Sequence, residues 1–131
     1  MSRENVEAIR GLYEASSRAD PETFNLLHPE AELHQLPDLA GGGSHYGRQA
    51  FGEVLAAFLA DWDDLRFEPT EITEVGEYVV VQISAWGRGR VSGVEGERRE
   101  FHAWTVRDGK PHQCFVRTTR DEALEAVGLR E

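Results

Sequence analysis

His102 and Trp104 stand two positions apart in Phe101-His102-Ala103-Trp104-Thr105-Val106-Arg107-Asp108-Gly109-Lys110, and they are the best lead to chemistry in this chain. An imidazole gives or takes a proton near neutral pH, and an indole adds a wide apolar wall with one N–H donor. The stretch alternates and then meets Asp-Gly, which suits a two-residue hairpin loop because both central positions take positive φ. Alternation puts His102, Trp104 and Val106 on one strand face and Phe101, Ala103 and Thr105 on the other. Pairing across an Asp108-Gly109 loop sets Val106 opposite Pro111, Trp104 opposite Gln113, His102 opposite Phe115 and Glu100 opposite Arg117. The expected result is a floor of His102, Trp104, Gln113, Phe115 and Arg117, apolar at its centre and polar at its far end. Arg117 is there either an anchor for a carboxylate or phenolate, or the partner of Glu100 in an ordinary salt bridge. The same register turns Cys114 away from His102, which removes a Cys–His nucleophile pair.

The elements that must position this floor follow from periodicity. Val6, Ile9, Tyr13 and Ser16 share a face at helical spacing, predicting a helix over residues 3–18. Asp20-Pro21-Glu22 begins a second, short helix that stops near Leu27. Residues 31–36 read as a strand and 37–43 as a loop; Gly41-Gly42-Gly43-Ser44 with His45 and Tyr46 suggests a lid. A strongly amphipathic helix is predicted near Arg48 to Trp62, with Phe51, Val54, Leu55, Phe58, Leu59 and Trp62 on one stripe. Strands follow over about 65–75, 77–90, 95–107 and 110–119, and Thr119-Arg120-Asp121-Glu122 opens a closing helix that Gly128 ends. Helices first and then antiparallel strands is the α+β pattern, a curved antiparallel sheet wrapped around N-terminal helices with a ligand-sized hollow between. The run Tyr78 to Trp86 is apolar on both faces, so the sheet should be covered twice, the outer face by a second subunit.

Composition narrows the partners. The 131 residues suit one domain, and 24 acids against 14 Lys and Arg give a net charge of −10. That field repels phosphate backbones and anionic lipids, so neither nucleic acid nor membrane is an expected partner. The Arg88, Arg90, Arg98 and Arg99 cluster reads as cross-strand pairing with Glu95, Glu97 and Glu100 on an exposed hairpin. No apolar run marks a signal peptide or a membrane span, and the single cysteine suits a reducing compartment; the expectation is a cytoplasmic protein. His28, His34, His45, His102 and His112 lack metal-ligand spacing, so no metal or cofactor is expected.

Five phrases in order resemble the nuclear transport factor 2-like superfamily, most closely its SnoaL-like, ketosteroid-isomerase-like branch. They are Glu4-Asn5-Val6-Glu7 through Leu12-Tyr13-Glu14-Ala15, Ala19-Asp20-Pro21-Glu22, His28-Pro29-Glu30-Ala31-Glu32-Leu33-His34, Tyr46-Gly47-Arg48, and His102 through Lys110. The resemblance implies a cone-shaped α+β barrel, an apolar pocket floored by the sheet, and a homodimer packed through the outer sheet face. In the isomerase pattern an Asp base works with a Tyr and a protonated Asp as oxyanion hole. Position by position, Gln35 falls where the base stands and cannot take a proton; His34, with suitable chemistry, lies on the other strand face by parity. His102 falls where the oxyanion acid stands and can donate a hydrogen bond, the alternative being a buried histidine tied to a carbonyl or carboxylate. Tyr13 lies near the position of the oxyanion tyrosine, or is a core tyrosine with one partner for its hydroxyl. Phe58, Trp62, Trp86 and Trp104 supply the apolar walls. The ligand implied is a small, largely apolar organic molecule. The function the resemblance implies is cofactor-free isomerisation, cyclisation or dehydration, the alternatives being binding without catalysis or an interaction module.

Overall fold

The computed structural model describes residues 2–18, 20–35 and 43–129. Helix α1 spans Ser2–Ser17 and buries Ile9, Leu12 and Ala15 along one face. Asp20 caps the next segment by accepting a hydrogen bond from the Glu22 amide (2.9 Å), but Pro21–Leu26 forms a 3-10 turn rather than an α-helix. Strands β1 (Glu32–Gln35) and β2 (Gly43–Tyr46) follow, then α2 (Arg48–Ala60). The lid expected over residues 41–46 is thus corrected in its second half, which is strand; Gly41 and Gly42 lie outside the described residues. Four long strands complete the sheet: β3 (Trp62–Val75), β4 (Tyr78–Gly89), β5 (Glu95–Arg107) and β6 (Lys110–Arg117). The short helix α3 (Arg120–Ala126) closes the described chain.

The architecture is α+β: a six-stranded, curved, open sheet in the order β2-β1-β6-β5-β4-β3, with α1 and α2 against its inner face. All neighbours are antiparallel except β1 and β6, which run parallel. Bulges between Asp63 and Arg66 and between Pro69 and Glu71 bend β3, and irregularities of this kind raise local twist and curvature. The main core packs Ile9, Leu12 and Phe51 against Leu33, Val79, Val81, Ile83 and Trp104. On the outer face α3 packs Ala123 and Leu124 over Val80, Ala103 and Phe115. Part of the second cover predicted for the apolar β4 run therefore comes from the chain itself. Among the described residues no helix is long and apolar enough to cross a membrane.

The hairpin register is where sequence parity fails. Asp108 and Gly109 do form the loop, at φ 53° and 75°, and Val106 does face Pro111. Beyond that pair, Trp104 faces Cys114 and His102 faces Val116. His112 and Gln113 together oppose Thr105, so β6 carries a bulge, and every later β6 side chain changes face. The Thr105 hydroxyl holds the bulge by accepting from the Gln113 amide (3.0 Å) and donating to Gln113 Oε1 (3.2 Å).

Candidate functional site

The inner face builds a chamber of about 120 Å³ between α1, the 3-10 turn, α2 and the sheet. Its polar groups come from α1 (Tyr13), the end of β1 (Gln35) and consecutive inward positions of β5 (Arg98, Glu100, His102 and Trp104). Leu12, Leu27, Phe51, Leu55 and Phe67 contribute apolar wall.

Four side chains form a continuous relay. The Trp104 indole N–H donates to the Tyr13 hydroxyl (2.9 Å), and that hydroxyl lies 2.5 Å from His102 Nδ1. His102 Nε2 lies 2.9 Å from Glu100 Oε1, and Arg98 donates to Glu100 Oε2. With Glu100 ionised, Nε2 must carry the proton; the neutral ring then accepts at Nδ1 from the Tyr13 O–H, and every member is satisfied. Glu100 is only 3% exposed. Burial by itself pushes its carboxyl up, but the His102 hydrogen bond, with the charge and hydrogen bond of Arg98, holds it below the ordinary carboxylate range. Burial, reinforced by Cys114, drives the Tyr13 hydroxyl well above its ordinary value and outweighs the Trp104 hydrogen bond; the phenol keeps its proton.

Gln35 points into the chamber with Leu33 at its side, as parity predicts, and its buried Oε1 has no hydrogen-bond partner among the described residues. The β1–β6 and β5–β6 registers place it beside Val116, with His102 on the far side. Two strand spacings, about 9–10 Å, separate the Gln35 and His102 backbones.

The predicted floor is corrected on three members. The bulge turns Phe115 and Arg117 to the outer face, and Gln113 with them. There Gln113 donates to Glu32 (3.1 Å), while Arg117 donates to the His34 and Val116 carbonyls (3.2 and 2.7 Å) instead of anchoring a ligand or pairing with Glu100. His34 also faces outward, stacked on Phe115 at 4.5 Å and bonded to Glu32 and Ser44, so it is no pocket base. Trp86 sits on the outer side of β4 beneath the Arg66 guanidinium (5.5 Å), not in the wall. Trp62 ends up as the first residue of β3 rather than the last turn of α2, and packs over Gly87 outside the chamber lining. The side chain of Phe58 lies outside what is described. Tyr13, Gln35, His102 and Trp104 do converge.

Several lining residues were missed, among them Arg98, Glu100 and Cys114. Glu100, assigned to an exposed hairpin pair, is the buried anchor of His102. Cys114, assigned to the opposite face, lines the chamber; burial first and Glu100 second push its thiol well up, so it is a neutral wall rather than a nucleophile. An i, i+2 Glu-x-His on an inward strand face was the available signal for Glu100. For Cys114 there was none without the bulge.

Among curated proteins none matches the chain significantly. Solved structures do. TerC, co-crystallised with polyporic acid, is 26% identical over 93% of this chain and 96% of its own, with a TM-score of 0.77. A nuclear transport factor 2-like protein from Burkholderia thailandensis aligns over 88% of this chain and 90% of its own at 22% identity and TM-score 0.80. A protein of ketosteroid isomerase-like fold from Catenulispora acidiphila, in complex with trimethylamine, aligns over 94% and 93% at 14% identity and TM-score 0.73. The SnoaL-like domain family matches residues 9–111, most of the chain and nearly every chamber element, and the protein belongs to that family.

Proposed function

We propose that the protein binds a small, largely apolar organic molecule in the chamber and carries out cofactor-free acid/base chemistry on it, of the isomerisation, cyclisation or dehydration kind. The observation that carries this reading is the Glu100–His102–Tyr13–Trp104 relay opening into an apolar cavity. The relatives crystallised with polyporic acid and with trimethylamine support a small organic ligand. A ligand carbonyl docks on Tyr13, whose hydroxyl turns from His102 to the ligand oxygen. That frees Nδ1 of His102 to take a proton from the adjacent C–H; Glu100 stabilises the imidazolium, and the Tyr13 O–H stabilises the enolate oxygen. Return of the proton to another carbon completes an isomerisation. In this scheme His102 takes over the proton transfer that Gln35 cannot perform, rather than serving only as a donor.

Deuterium incorporation tests it. A panel of small enolisable cyclic ketones incubated in D2O should exchange C–H for C–D faster with the protein, as read by NMR. Tyr13→Phe and His102→Ala should lose the acceleration while remaining folded. Acceleration that persists in both variants ends the proposal. Gln35 favours a second reading, a non-catalytic binder, because its unpartnered oxygen can orient a ligand donor without taking a proton; saturable binding with no exchange in any form is its signature.

The protein is also proposed to be a cytoplasmic homodimer joined through the outer sheet face, on the strip of Gln82, Ser84, Trp86 and Arg99 that α3 leaves uncovered. Sedimentation equilibrium of the protein and of Trp86→Glu tests the contact.

A further inference from the structure

We infer that the site is bipartite and takes a ligand with a ring-sized, hydrogen-bonding head and an apolar tail, the tail lying in a groove outside the chamber. The inference rests on the functional reading above for the head alone. A chamber of about 120 Å³ approaches the roughly 150 Å³ of a cavity that binds benzene, which is room for about one ring. Ligand sites are ordinarily about 300–1,000 Å³, so a molecule much larger than one ring cannot be housed there whole.

A second space, about 670 Å³, lies between α1, the 3-10 turn and β3. The two spaces share Ser16, Thr23, Phe24, Leu55 and Phe67, so they adjoin, and a ligand that spans both passes between these side chains, the neck of the site. Phe24 is 39% exposed and leans on α2 where Gly52 has no side chain; a Cβ there would stand 3.3 Å from the ring. The absent side chain lets Phe24 lie across the neck. Beyond it, Leu65 lines the groove and takes no part in the chamber. Within the chamber, the unpartnered Gln35 Oε1 calls for a donor on the head, such as a phenol or alcohol. A polar chamber and an apolar exit define the occupant as a ring-sized head, bearing a donor for Gln35 beside the carbonyl that Tyr13 receives, with an apolar tail; alkylphenols probe the donor and the tail.

A series of 4-alkylphenols from phenol to 4-hexylphenol, titrated by calorimetry into the protein and into Leu65→Ser, measures this. Each methylene that reaches the groove should tighten binding about three- to four-fold in the native protein. In Leu65→Ser phenol should bind unchanged and the gain should shrink for the longer members. In the native protein, NMR should show NOEs between the terminal methyl of 4-hexylphenol and the Leu65 methyls. Phenol binding with no dependence on chain length overturns the groove and leaves the chamber reading standing. A length gain equal in both proteins, without those NOEs, also overturns it. No binding by any member overturns the bipartite site, while the ketone exchange separately decides the acid/base reading.

Discussion

Replacing Tyr13 with Phe removes one oxygen and strands two buried groups: the Trp104 N–H that donates to it at 2.9 Å and the His102 Nδ1 at 2.5 Å. A buried polar group left without a partner costs about 1–3 kcal/mol. His102 is 12% exposed, and water from the adjoining chamber can reach the vacated spot, so the lower half of that range applies to each group. The expected loss is about 2–4 kcal/mol, a fall in Tm of roughly 8–15 °C for a domain of this size. Urea unfolding followed by tryptophan fluorescence, with m unchanged, measures it. The pair is isolated by a cycle with His102→Phe, where a real contact gives a coupling of about 0.5–3 kcal/mol. A Tyr13→Phe protein within about 0.5 kcal/mol of the parent, and additive with His102→Phe, refutes the relay and the mechanism built on it.

Glu100 makes stability acid-sensitive: its folded carboxyl sits below the ordinary range, so the stabilisation is complete above the unfolded pKa, about 4.3, and is lost as pH falls through the folded value. Urea midpoints between pH 7 and pH 3 should fall for the native protein and more shallowly for Glu100→Gln, with Glu32 and Glu122, also lowered, contributing to the remaining slope. Gly87→Ala places a Cβ 2.9 Å from the Trp62 ring and 3.0 Å from Leu65, and should cost about 1–3 kcal/mol in thermal unfolding through overpacking. Thr105→Val removes both hydrogen bonds that hold the β6 bulge and should cost about 1–2 kcal/mol by the same assay.

Local order wrote much of this molecule in the sequence. The helical stripe of Val6, Ile9, Tyr13 and Ser16, the Asp20-Pro21 start, the long apolar strands, the Asp108-Gly109 loop and the Thr119 cap each act within a few residues, so periodicity and turn chemistry suffice to place them. Inward placement of Gln35, His102 and Trp104 follows from the two-residue period of a strand.

What lay beyond reach was pairing between strands. A bulge carries no compositional mark of its own, yet a single extra residue at His112–Gln113 moved Phe115 and Arg117 out of the pocket and brought Cys114 in. Whether Glu100 faced water or the core was likewise a tertiary matter: α1, the 3-10 turn and α2, folded back over the sheet, make the chamber in which that carboxylate pairs with His102 and Arg98. Side-chain alternation is a property of one strand, whereas the chamber is a property of how strands and helices stack, and so its membership was decided by the fold.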